Sequence, residues 1–323
     1  MSSNNVLFQM RDVKKHFPIK GGLFNSTKGS VKAVDGVTLD ITEGETLGVV
    51  GESGCGKSTL GRTVLGLESM TDGQLVFRDQ NITQLSKRQL KPLKKEMQMI
   101  FQDPFASLNP RQTIGRAIEE AYIIHTNDKA GERRQKVMSL LEEVGLGAEH
   151  YDRYPHEFSG GQRQRIGIAR AVALNPSFIV CDEAVSALDV SVQAQVINLL
   201  KKLQSSYGLT YLFISHDLGV VRHISDRVLV MYLGNMVELT TTEQLYQNPQ
   251  HPYTQALLSA IPRTAPKRKR EHVHLNGEIP SPTDPPSGCP FHTRCPIAAD
   301  ICKEVKPEWR QVDDDHYAAC HMV

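Results

Sequence analysis

Residues 51–58 read Gly51-Glu52-Ser53-Gly54-Cys55-Gly56-Lys57-Ser58, the pattern G-x-x-x-x-G-K-[ST]. Its surroundings matter as much as its letters. Thr46–Val50 (TLGVV) is a short apolar run fit for a fully buried strand, and Ser58–Leu67 has helical spacing, so the loop joins a strand to a helix. Glycines in such a loop let successive backbone N–H groups turn inward around phosphates, and the helix adds the positive end of its dipole. Lys57 would reach the β- and γ-phosphates of a nucleotide and Ser58 would hold Mg²⁺, with Gly51, Ser53, Gly54, Cys55, Gly56 and Thr59 completing the cradle. Average residue usage puts the pattern in roughly one chain in a hundred of this length by chance. Its place between strand and helix decides for function. The glycines do not follow the dinucleotide spacing G-x-G-x-x-G.

A second piece of chemistry lies far along the chain. Phe178–Cys181 is an apolar strand that runs into Asp182-Glu183, and carboxylates at the C-terminal end of a parallel strand emerge where open α/β sheets bind ligands. Alone, the pair also suits a helix N-cap; beside a phosphate loop, Asp182 fits a holder of Mg²⁺ and Glu183 a group that activates water. Ser159-Gly160-Gly161-Gln162-Arg163 places small residues at the opening of a helix, a further anion-binding terminus about a hundred residues after the first.

Residues 6–16 and Val31–Ile41 alternate as antiparallel strands do, and Glu43-Gly44-Glu45 makes a turn. From about 104 to 165 the apolar residues fall three and four apart (Ile114, Ile118, Ala121, Tyr122, then Val137, Leu140, Leu141, Val144), which predicts a mostly helical insertion with stops at Gly145 and Gly147. Phe178–Cys181, a helix at Ser191–Tyr207 and a strand at Leu209–Ile214 give the rhythm of a parallel sheet. Arg227–Met231 and Met236–Leu239 read as a hairpin turning at Gly234-Asn235. Past Asn248-Pro249 prolines become dense, so a boundary is expected near 250 and a linker over 262–286, with the basic run Lys267–Arg270 as its solvated part.

Composition narrows the classes. The 323 residues hold 37 Lys and Arg against 36 Asp and Glu, a formal charge of +1 that gives no sign of a polyanion binder. With 40% hydrophobic and 23% charged residues the chain suits a globular protein, and no apolar stretch is long enough to cross a bilayer. Its first residues carry neither a basic n-region nor an apolar core, so the expectation is a chain that is not exported and makes no disulfides.

Taken as a set, the loop at 51–58, Gln102 after the strand Met97–Phe101, SGGQR at 159–163, Asp182-Glu183, SALD at 186–189 and His216 resemble the ATP-binding cassette family. The resemblance covers residues 6–250. It implies an α/β P-loop ATPase with a RecA-like core, an antiparallel β subdomain and a helical subdomain, working as a head-to-tail dimer around two ATP molecules with Mg²⁺. It also implies roles for single residues. Phe17, in KKHFP, would stack on adenine, with core packing as its plain alternative. Gln102 would touch Mg²⁺ and the attacking water; Ser58, Gln102 and Asp182 would form the Mg²⁺ site, and Glu183 and His216 would complete catalysis. Ser159, Gly160, Gly161 and Gln162 would contact ATP held by the opposite subunit, and Asp189 would support the dimer contact. Ala184 departs from the proline common after the glutamate, which touches only the stiffness of that turn.

After 250, His251-Pro252-Tyr253-Thr254, Gly277–Pro282 and Gly288-Cys289-Pro290-Phe291 through Arg294-Cys295 resemble the extension on di- and oligopeptide importer ATPases, and HFPIKGG at 16–22 resembles the F-type member of their D/F pair. That implies a cassette over 1–250, an extension over 251–323, and ATP hydrolysis that energises peptide import at the cytoplasmic face of the membrane. The implied partners are a D-type ATPase paralogue, two transmembrane permease subunits and an extracytoplasmic peptide-binding protein, with no nucleic acid. Nickel and glutathione importers share much of the pattern, and cassette ATPases acting on nucleic acid or ribosomes form the rival class.

Cys289, Cys295, Cys302 and Cys320 crowd the end of the chain with gaps of five, six and seventeen residues. No C-x₂₋₄-C pair suggests structural zinc, while four thiolates suit an iron–sulfur cluster. The peptide-importer resemblance implies a [4Fe–4S] cluster; zinc and plain buried thiols are the alternatives. On any of these readings the tail is a module of its own, whose loosening is expected to spare the ATP site at 51–58. Cys55 reads as a small filler and Cys181 as core.

Overall fold

The computed structural model describes residues 5–21, 26–103, 107–261, 275 and 277–323. Most of the linker expected over 262–286, with its basic run at 267–270, and the expected start of the helical insertion at 104 lie outside them. The chain divides into two compact units, one made of residues 1–5, 42–45 and 84–214, the other of 6–41, 46–83 and 215–323.

The first unit is built on three parallel strands, Met97–Ile100, Phe178–Asp182 and Thr210–Ile214, with the middle one paired to both others: Met99 lies opposite Val180, and Val180 opposite Leu212. Every residue of the last two strands is buried, which is why they read as unbroken apolar runs rather than alternating ones. The crossover between them is the helix Val190–Tyr207, stopped by Gly208 in the left-handed region at φ 65°. The insertion is helical as its spacing predicts. Ile114–His125 buries Ile114, Ile118 and Tyr122; Ala130–Glu143 buries Val137, Leu140 and Leu141 and gives way to Gly145 at φ 77°. Gly160–Val172 follows.

The second unit contains two sheets. In one, Ser26–Thr42, Val6–Gly21, Asp72–Phe77 and Gln80–Asn81 lie side by side in that order, with the last three antiparallel in succession. In the other, Thr46–Val50 runs parallel to Arg227–Tyr232, which forms an antiparallel hairpin with Asn235–Thr241. The turn falls one residue earlier than the sequence reading. Tyr232 closes on Asn235, so Leu233 and Gly234 form the two-residue loop, both with positive φ (43° and 77°), as the twist of a tight hairpin requires. The first helix is Lys57–Val64, shorter than the expected Ser58–Leu67, because Gly66 at φ 64° turns the chain away.

The tail departs most from expectation. Compactness does not break at residue 250. Instead the tail strand His316–Ala318 pairs with Asn235–Thr241, Ala318 opposite Glu238, and carries Arg310–Asp313 on its outer side. Glu238, fully buried, accepts hydrogen bonds from the backbone N–H groups of Gln250 and His251 at 2.7 and 2.9 Å, and its Oε1 lies 2.7 Å from His316 Nε2. The last residues are therefore built into the second unit's sheet and core.

Candidate functional site

The phosphate loop takes the shape its glycines permit. Gly51, Gly54 and Gly56 have φ of 150°, 80° and 103°. A Cβ on Gly56 would lie 1.9 Å from the Ala33 carbonyl oxygen, and one on Gly51 would lie 2.2 Å from that of Met231, so neither position admits a side chain. The hairpin tip braces the loop, with Gly234 N–H donating to the Cys55 carbonyl at 2.9 Å. Lys57, 4% exposed, folds its ammonium back onto the loop and donates to the carbonyls of Gly51 at 2.8 Å and Glu52 at 3.0 Å. Burial pushes the Cys55 thiol up against the lowering pull of Lys57, in keeping with a packed, neutral filler. Ser53 and Gly54 are exposed, while Ser58 and Thr59 are half-buried at the helix start. Phe17 is 36% exposed, and the Lys15 ammonium sits over one face of its ring, 4.5 Å from the centre. His216, just past the strand Thr210–Ile214, is exposed.

The other unit brings Gln102 and Glu183 together: Gln102 Nε2 donates to Glu183 Oε2 at 2.9 Å. Asp182 is buried at the strand end, and Glu183 beside it is half-buried. Glu183 adopts φ 48°, uncommon for a residue with a side chain, and the surroundings enforce it. Its N–H donates to Ile214 O at 3.0 Å, while Ser186 donates both N–H and hydroxyl to Glu183 O at 3.1 and 3.0 Å. Ala184 is buried within this turn, which the two Ser186 bonds to Glu183 O restrain.

Ser159 caps the helix Gly160–Val172, accepting from Gln162 N–H at 3.3 Å while the Gln162 side chain accepts from Ser159 N–H at 3.0 Å. Gly160 is exposed. Gly161 packs closely on the next helix, where an added Cβ would lie 2.5 Å from Val192 Cγ1. Asp189 caps that helix by accepting from Val192 N–H at 3.0 Å, and the Ser191 hydroxyl, donating at 2.7 Å, holds its carboxyl below the usual range. Two helix N-termini of the first unit thus stand against each other, each with a small or acidic opening.

Two functional contacts escape sequence reasoning. The Arg294 guanidinium grips the Glu52 carboxylate with both Nη atoms, at 2.7 and 3.0 Å, and Glu52 N–H donates to the Tyr253 hydroxyl at 2.8 Å. Glu52 and Arg294 stand 242 residues apart, and no spacing rule links them. In the sequence Arg294 stands out only as part of the Gly288–Cys295 segment that resembles the peptide-importer extension.

The four tail cysteines share one neighbourhood. Cys289 N–H donates to the Cys302 carbonyl at 2.8 Å, and the Cys289 thiol, pushed up to about 11 chiefly by burial, also feels Cys302, Cys320 and Cys295. Yet no group of three or more His, Cys, Asp or Glu among the described residues is spaced to hold a metal ion. The donor chemistry suits a cluster; the spacing does not.

Residues 34–186 match the ABC transporter family, and residues 237–302 match the C-terminal region of the oligopeptide/dipeptide transporter family. The oligopeptide transport ATP-binding protein AppF of Bacillus subtilis is 58% identical over 99% of this chain and 98% of its own length. The dipeptide transport ATP-binding protein DppF of Haemophilus influenzae is 53% identical over 100% and 98%. The chain belongs to the ATP-binding subunits of the ABC dipeptide/oligopeptide transporter family. It is an ATPase of the ABC class. Its fold is that of the P-loop cassette: a solved dimeric cassette, MJ0796, in a post-hydrolysis state bound to ADP and Pi, is similar with a TM-score of 0.65 and 28% identity over 73% of this chain and 99% of that one. Among the described residues no helix is long and apolar enough to cross a membrane.

Proposed function

We propose that this chain hydrolyses ATP to energise the import of di- and oligopeptides, as the F-type half of an ATPase pair. The Gln102–Glu183 hydrogen bond carries the reading, because it joins the two groups expected to position and activate the attacking water. Gly51, Ser53, Gly54, Cys55, Gly56, Lys57, Ser58 and Thr59 would cradle the phosphates and Phe17 would stack on adenine. Ser58, Gln102 and Asp182 would hold Mg²⁺, which when bound neutralises charge on the transferred phosphoryl group. Water would attack the γ-phosphorus as its bond to the ADP oxygen breaks. Glu183 would receive the water's proton, and His216 would contact the γ-phosphate. Ser159, Gly160, Gly161 and Gln162 would close on the ATP of the opposite subunit, with Asp189 bracing the contact. ATP that bridges two subunits favours the closed dimer through its differential affinity, and hydrolysis removes that preference.

The working division is a cassette over 1–250 and an extension over 251–323, with a D-type paralogue, two permease subunits and an extracytoplasmic binding protein as partners at the cytoplasmic face of the membrane. Mass spectrometry of what co-purifies from membranes tests this assembly. Recovery of permease subunits and a second cassette supports it; recovery of ribosomal or nucleic-acid proteins alone contradicts it. Cargo is tested by uptake of labelled dipeptide in competition with nickel or glutathione. For the tail we propose a [4Fe–4S] cluster on Cys289, Cys295, Cys302 and Cys320; four thiols in one neighbourhood support it, and their spacing requires them to draw together to bind it.

A further inference from the structure

Glu52 is held at every polar group, its carbonyl from within the phosphate loop and its N–H and carboxylate from the tail. Tyr253 takes its N–H, Lys57 binds its carbonyl, and Arg294 takes both carboxylate oxygens. Tyr253 and Arg294 belong to the tail. The Arg294 side chain is 7% exposed, and its guanidinium lies 5.9 Å from the ring centre of Tyr232. Around it Tyr232, Tyr253 and Phe291 form an aromatic cluster with ring centres 4.8 to 5.3 Å apart. Bidentate, poorly solvated pairs of this kind are among the stronger polar contacts in proteins, and they fix direction as well as distance. The arginine is itself placed by the cysteine-bearing turns. Arg294 N–H donates to Phe291 O at 3.0 Å, and His292 N–H donates to Cys289 O at 3.0 Å. Beside the same loop residues, Glu52 to Cys55, the tail segment Ile279–Pro282 walls a cavity of about 270 Å³.

We propose that Arg294 is a positioning residue for the phosphate loop, through which the cysteine-bearing tail sets how readily the loop accepts ATP. The inference rests on the reading that residues 51–58 hold ATP. A phosphate loop binds through the directions of its backbone N–H groups, and Glu52 is its second residue. With the clamp intact the loop keeps one conformation. Without it the loop visits others, and apparent affinity falls by the fraction of time spent in the competent one. Bound nucleotide restores the conformation, so the chemical step is unaffected. The expected signature is a raised KM for ATP with kcat preserved.

The test uses the full chain in its assembled transporter, with MgATP as the probe. Arg294→Ala and Glu52→Ala should each raise KM about five- to twenty-fold with kcat within about twofold, and the double variant should be no worse than either alone, because both remove one contact. Arg294→Lys, which keeps the charge but not the fork, should fall between. Cys295→Ser should raise KM in the parent and add nothing in Arg294→Ala. A parental KM in Arg294→Ala, additive single effects, or a loss in kcat in place of KM would each overturn the proposal. A parental KM in Cys295→Ser would overturn the tail's part in it. Lys57→Ala is measured alongside: retained ATP binding there would refute the phosphate-loop reading itself, whereas lost binding with a parental KM in Arg294→Ala would refute only the clamp.

Discussion

Gln102 donates its side-chain amide to the carboxylate of Glu183 at 2.9 Å, although the two residues are 81 positions apart. The contact fixes the Glu183 carboxylate through Oε2. Gln102→Ala should therefore slow steady-state hydrolysis about ten- to a hundredfold, the range for a lost hydrogen bond to a charged group, with MgATP binding retained. Parallel titration and turnover assays would separate this from a binding defect.

Lys57 presents the loop's side-chain cation and donates to the carbonyls of Gly51 and Glu52. Phosphates would compete for it as stronger, charged acceptors. Lys57→Ala should abolish measurable MgATP binding in titration, and unchanged binding would show that the lysine has another task.

Gly56 tolerates no side chain, since a Cβ would sit 1.9 Å from Ala33 O at a φ of 103°. Gly56→Ala should lower stability by about 1–3 kcal/mol and weaken ATP binding together, as backbone strain and a displaced loop require. Thermal unfolding with and without MgATP would show both effects.

These elements differ in how far the sequence discloses them. The strand at Thr46–Val50, the helix starts at Ser159 and Asp189 and the carboxylate pair are local patterns, written within a few residues of where they act. The hairpin turn was displaced by one residue because Gly234-Asn235 looks like a turn pair, whereas backbone pairing puts Leu233 into the left-handed region. Neither the tail strands nor the Arg294–Glu52 clamp carries a local signature. Arg310–Asp313 and His316–Ala318 are too short and polar to read as strands, and an ion pair across most of the chain exists only once the fold is made. The expectation that loosening the tail would spare the ATP site followed from treating it as a separate module. On the proposal that Arg294 positions Glu52, loosening the tail would instead raise the KM for ATP.

His251 gives the fold a pH dependence. It is 1% exposed, its Nδ1 accepts from Tyr253 N–H at 3.1 Å, and burial lowers its pKa from 6.5 to about 4 despite the opposing pull of Glu238. The unfolded chain then binds the proton more readily, so this contribution is full above about pH 6.5 and is lost as the pH falls toward 4. The shift corresponds to about 3 kcal/mol. His251→Asn, which keeps an acceptor near Nδ1 and cannot titrate, should flatten the fall in unfolding free energy between pH 6.5 and 4. An unchanged slope would assign it to other groups.

The tail's metal is decided by content. Protein prepared without air should contain about four iron atoms per chain and absorb broadly in the visible if the four cysteines carry a [4Fe–4S] cluster. Stoichiometric zinc without iron would replace the cluster with a zinc staple, and absence of metal would leave four packed thiols.

On the proposed mechanism Glu183 activates the water that cleaves ATP. Its most direct test is single-turnover hydrolysis by the assembled transporter carrying Glu183→Gln, with MgATP binding measured on the same preparation. The amide keeps the size of the carboxylate and cannot accept a proton, so cleavage should slow by about 10²–10⁴ while ATP stays bound and the dimer stays closed. Cleavage at the parental rate would contradict the account and move the role of base to another group.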